Sequence, residues 1–212
     1  MSIARIYAVV RLTLAGTMTS LSAQPSLAEG SQSEIIQINP SQIQTLETPP
    51  WERPANGETK AWEEKLRSDA STKFSGNLVK AAGAAAAKGF RALDELDMAS
   101  ASQSFSEAAV LDPRSPYPYL GFVDIYRLTM KSDKKQFCLK AAIERSTKQK
   151  MALIMIGTNL AIDGDYRQAA VFFNSVLDLD ADDRHAHLML AKTYRILGDD
   201  QKADHHQTLT KQ

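Results

Sequence analysis

The chain has 212 residues and a mass of 23.3 kDa; 43% are apolar and 24% charged, enough for a packed core and unlike a disordered tail. Lys+Arg and Asp+Glu both number 25, so the formal net charge is zero, which argues against a broad nucleic-acid surface. The single cysteine, Cys138, excludes an internal disulfide framework and a cysteine-rich zinc site.

Residues 1–28 carry Arg5 and Arg11, no acid, and a mild apolar stretch after each arginine. Ser26-Leu27-Ala28 places small residues where a signal peptidase cuts, and Ala23 is a second such site. The segment predicts a secretory signal cleaved after Ala28 or Ala23, and so a periplasmic or secreted protein. It is too short and polar for a good membrane span. A mitochondrial transit peptide is the alternative, because such segments are also rich in Arg and Ser and poor in acids.

Residues 29–60 change to Gln, Ser, Thr and Pro, and Pro40, Pro49, Pro50 and Pro54 bar a long helix. They read as a flexible linker, a spacer in preference to a tether folded onto the body, with Ile35, Ile36 and Ile38 as one short strand at most. Residues 61–81 place Trp62, Leu66, Phe74 and Leu78 near helical spacing, broken at Ser75-Gly76. This predicts a capping helical segment for whatever follows.

From residue 82 the chain repeats. Gly164 and Gly198 lie 34 residues apart, and Asp165 and Ala169 recur in step as Asp199 and Ala203. Stepping by that interval marks units at 82–115, 116–149, 150–183 and 184–212. Small residues stand at position 8 of the first and third units (Gly89, Gly157), and an aromatic at position 24 (Phe105, Phe173). Ala101, Ala108 and Pro113 complete the first unit, while the second is degenerate and has no glycine at its turn.

Residues 82–212 therefore resemble the tetratricopeptide-repeat family, whose helix–turn–helix unit has this period. The resemblance implies an all-α fold: an α-solenoid of about four repeats, preceded by the capping helix, the linker and the signal peptide. It also implies a peptide groove along the inner faces of the first helices. On this chain those positions are Phe90; Tyr117, Leu120, Asp124 and Arg127; Met151, Ile154, Met155 and Thr158; and Leu188, Met189, Lys192 and Arg195. Such a groove is apolar and methionine-bearing with a basic rim, and would suit an extended or helical segment with apolar anchors and acidic groups. The family's carboxylate clamp is absent, because its position 9 is occupied by Phe90, Asp124, Thr158 and Lys192.

Nothing in the pattern predicts catalysis, a cofactor or a resident metal. His185 and His187, and His205 and His206, are not at the three- or four-residue spacing that shares a helix face, so surface positions are their default. Asp178, Asp180, Asp182 and Asp183 lack the glycine and terminal Glu of a calcium loop and read as helix ends. The expected function is a non-catalytic protein–protein adaptor or assembly factor of a bacterial envelope, secretion systems being among the settings the family implies. The alternative is a structural component that self-associates through Trp62, Phe74 and the Ala-rich helix.

Overall fold

The computed structural model describes residues 48–210. The predicted signal, the short Ile35–Ile38 strand and most of the linker lie outside them. Among the described residues the chain is all-helical, with no strand. After a 3-10 turn at Pro50–Glu52 come α1 (Gly57–Lys73), α2 (Leu78–Asp94), α3 (Met98–Leu111), α4 (Tyr117–Leu128) and α5 (Ser132–Arg145). α6 (Lys150–Ile162), α7 (Tyr166–Leu177), α8 (Arg184–Ile196) and α9 (Asp200–Leu209) follow. Each helix from α2 onward packs against the next, and α4 also touches α2 and α6.

Short polar residues start most of these helices. The side chains of Asn56, Asn77, Asp97, Asp165, Asp183 and Asp199 each accept from a backbone amide three residues on. Such caps satisfy donors that the first helical turn leaves unpaired. Asp178 closes α7 and Asp183 opens α8, the role expected of that acidic run.

The turns inside successive hairpins share one backbone conformation. Leu96, Met130, Gly164 and Gly198 have φ values of 61°, 57°, 86° and 79°, and each stands 34 residues after the last. The amide that follows bonds back to the preceding helix each time: Asp97 to Ala92, Lys131 to Tyr126, Asp165 to Leu160 and Asp199 to Tyr194. A left-handed residue closing a helix in this way is the commonest helix stop. Glycine adopts it freely, whereas a Cβ costs about 1–2 kcal/mol. Met130 bears that strain with its side chain 91% exposed. Met130→Gly should raise unfolding stability by about 1 kcal/mol in chemical denaturation.

The core is organised by two phenylalanines, Phe105 and Phe173, both fully buried. A Cβ added at Gly89 would stand 2.6 Å from the Phe105 ring, and one at Gly157 would stand 2.7 Å from Phe173. The small residue lets the two helices of a hairpin close on the ring. Gly121 of α4 approaches Phe105 from the next hairpin, where an added Cβ would come within 2.3 Å. Phe105 therefore fills space within one hairpin and between two.

The end of the segment read as a spacer is seated on the body. Pro49 is fully buried, and Trp51 stacks on Tyr119 with ring centroids 4.4 Å apart and planes 13° from parallel. Trp51 also meets Phe122 edge-on at 5.3 Å and stands 6.2 Å from Phe137. The Arg145 guanidinium covers the Tyr119 ring at 4.4 Å, and Glu52 pairs with Lys134. Arg53 lies 4.6 Å over the Trp62 ring. The helix after this strap starts at Gly57, inside the range read as linker, because Asn56 caps it. Trp62 and Phe74 are half-buried within the chain, Phe74 against Ala70, Ala81, Ala82 and Leu111. Covered by α1, α2, α4 and the strap, α3 is buried on nearly every side.

Candidate peptide-binding groove

Helical periodicity puts Tyr117, Leu120, Asp124 and Leu128 on one stripe of α4, and Tyr119, Phe122 and Tyr126 on the opposite one. The first stripe does not form an open trough. Leu120 is fully buried and Asp124 is 8% exposed, because α4 is enclosed by α2, α3, α5 and α6. Both residues are buried within the body rather than lining an open face. Phe90 and Tyr117 are half-buried, and Phe90 packs edge-on against Phe105 at 4.9 Å.

Arg127 is also committed internally. Its guanidinium donates to the Asp163 carboxylate at 2.6 Å and to the Asn159 side chain, both in the hairpin that follows. Lys135 reaches the other Asp163 oxygen at 2.9 Å. This polar staple joins α4 and α5 to α6, so Arg127 is a structural tie and not a rim cation awaiting an acidic ligand. Arg195 is paired as well, with Asp200 at 2.8 Å and Asp204 at 2.6 Å, but it stays half exposed.

The open part of the predicted groove lies on α6 and α8. Met151 is 57% exposed, and Ile154, Met155 and Thr158 are half-buried along the same face. On α8, Leu188 and Met189 are half-buried and Lys192 is exposed. α7 packs against both helices, so the two stripes belong to neighbouring hairpins. Two methionines, branched aliphatic groups and a basic end can hold an apolar segment with acidic neighbours. The Cys138 thiol is fully buried, and burial pushes its pKa up to about 12, far from thiolate chemistry.

His185 and His205 are exposed as expected, whereas His187 and His206 depart from that placement. His187 is 5% exposed, and its Nδ1 lies 2.9 Å from Nδ1 of His206 on α9. His187 Nε2 is 2.9 Å from the Ala181 carbonyl. A carbonyl only accepts, so Nε2 carries the proton and Nδ1 is left to accept from His206. Tyr194 stacks on His206 at 5.7 Å, with planes 8° apart. Spacing along one helix could not reveal this pair, since its members come from two. Among the described residues no group of three or more His, Cys, Asp or Glu is placed to hold a metal ion.

Burial, then the nearby His187 and His205, lower the His206 pKa below its ordinary 6.5. The unfolded chain then binds this proton more readily, so stability rises with pH through that range. It is fully present above about pH 6.5 and declines as the pH falls toward the lowered folded value. Thermal melts followed by circular dichroism should show a lower melting temperature at pH 5 than at pH 7. His206→Gln should flatten that slope.

Among the described residues no helix is long and apolar enough to cross a membrane. Comparison with known proteins finds neither a family model nor a curated sequence that matches this chain.

Proposed function

We propose that residues 82–212 form a tetratricopeptide-type solenoid of about four units, and that the protein is a non-catalytic adaptor or assembly factor that binds a partner segment along α6 and α8. The left-handed turn that recurs every 34 residues supports the solenoid. So does the glycine-to-phenylalanine contact made by Gly89 with Phe105 and again by Gly157 with Phe173. The observation that carries the binding reading is a partly exposed stripe, in which Met151 and Lys192 are exposed and Ile154, Met155, Leu188 and Met189 are half-buried, next to a region where Leu120 and Asp124 are buried. The composition of residues 1–28 supports export to a bacterial envelope, with a mitochondrial destination as the alternative. Self-assembly through Trp62 and Phe74 draws less support, since both are occupied within the chain.

A photo-crosslinking residue at Met151 or Met189 should capture the same protein in native cells, and one at the exposed Val171 on α7 should not. Met151→Glu with Met189→Glu should lower that capture about tenfold or more, through a charge set against an apolar anchor, with helical circular dichroism unchanged. Equal capture from Val171, or unchanged capture by the double variant, would remove the groove.

A further inference from the structure

The slot that holds Trp51 is a finished aromatic site of a kind that takes proline-rich segments. Its floor is Tyr119, itself stacked from below by Arg145; its walls are Phe122 and Phe137; and Lys134 stands at its mouth. The occupant is the chain's own Thr-Pro-Pro-Trp-Glu run, with Pro49 buried, Trp51 stacked and Glu52 paired with Lys134. Aromatic-lined slots favour such segments because prolines arrive already extended and lose little freedom on binding.

The seated strap is an incomplete fit. The Trp51 indole N–H is buried without a hydrogen-bond partner. Among the described residues its one side-chain ion pair, Glu52 with Lys134, is partly exposed and so weak. Phe137 remains 53% exposed although it forms a wall. Three residues, Pro54 to Asn56, separate the strap from the capped start of α1, so it can leave without unwinding that helix once Arg53 leaves the Trp62 ring.

We propose that this slot between α3, α4 and α5 is a second docking site, for a partner segment of the form Pro-Pro-aromatic-acid, which residues 48–53 occupy in cis until such a segment displaces them. The site is independent of the α6–α8 stripe. Tyr119, Phe122 and Tyr126 lie on the side of α4 opposite Tyr117, Asp124 and Leu128.

The probe is a synthetic peptide of residues 46–54 with a fluorescent label, titrated by anisotropy into the full chain. Trp51→Ala empties the slot, so that variant should bind the peptide, and the unaltered chain should bind it about tenfold more weakly because the strap competes. Phe137→Asp, at an exposed position that the fold tolerates, should abolish binding in the Trp51→Ala background. Met151→Glu should leave it unchanged. A peptide with Ala in place of Trp should not bind. No binding by a Trp51→Ala chain of normal helical content would overturn the proposal, as would binding indifferent to Phe137→Asp or weakened by Met151→Glu.

If Trp51→Ala does not fold, the same question is put to a Trp62→Phe chain, whose one tryptophan is Trp51. Excess peptide carrying Phe in place of Trp should then shift Trp51 emission to the red as the strap is displaced. No shift at saturating peptide would equally overturn the proposal.

Discussion

Replacing Phe105 with alanine should cost about 3–5 kcal/mol and leave the N-terminal half of the helical body loosened or unfolded. The ring is fully exposed to protein and not to water, and it is gripped by two glycines from different helices. Alanine leaves a void that Gly89 and Gly121 cannot fill, because neither has a side chain to move into it. Phe90, at 4.9 Å, and Phe122, at 6.1 Å, lose their aromatic neighbour as well. The reverse error is also instructive. Gly121→Ala sets a methyl within 2.3 Å of the same ring, which would have to shift within a close-packed core. Overpacking of that kind costs about 1–3 kcal/mol. In a Phe105→Leu background the smaller side chain should absorb much of that penalty. Urea denaturation of the four proteins tests this as a double-mutant cycle. Additive costs would mean that the two residues do not share the space.

Leu120→Glu should prevent folding, at a cost of about 4–5 kcal/mol or more, while Met151→Glu should leave the melting temperature within a few degrees of the parent. Both positions belong to the same predicted groove, one helix pair apart. The difference lies in their surroundings. Leu120 is sealed beneath neighbouring helices, where a carboxylate would have neither water nor a cation held ready for it. Met151 is 57% exposed, so its replacement keeps its water. Circular dichroism and thermal melts of the two variants decide the matter. A folded Leu120→Glu protein would reopen the α4 part of the groove.

The helix-ending aspartates Asp178 and Asp183 behave as their sequence context suggests, because capping depends on near neighbours. Asp183, for instance, accepts from the Ala186 amide while its carboxylate also meets Lys150 at 2.9 Å. The histidine pair and the Arg127 staple were not legible. Each joins side chains from separate helices: Arg127 and Asn159 are 32 residues apart, and His187 and His206 are 19 apart. No local spacing marks such a meeting. The repeat resemblance implied a groove position for Arg127, but it could not say that Asp163 would reach it first.

The sequence alone determined the helical class and two of the four recurring turns, those at Gly164 and Gly198. A 3.6-residue apolar period, Asp and Asn caps, and glycines 34 positions apart are local devices that act wherever the chain lies. It also placed small residues at Gly89 and Gly157 and aromatics at Phe105 and Phe173, but their contact within one hairpin is seen only in the fold. Only the tertiary structure decided which groove residues face water. Exposure depends on how tightly neighbouring hairpins close, and that closure buried Leu120 and Asp124 but left Met151 and Lys192 open. It decided as well that a proline-rich run would dock. Trp51 gains a stacked partner and an edge partner only once α4 presents Tyr119 and Phe122 together.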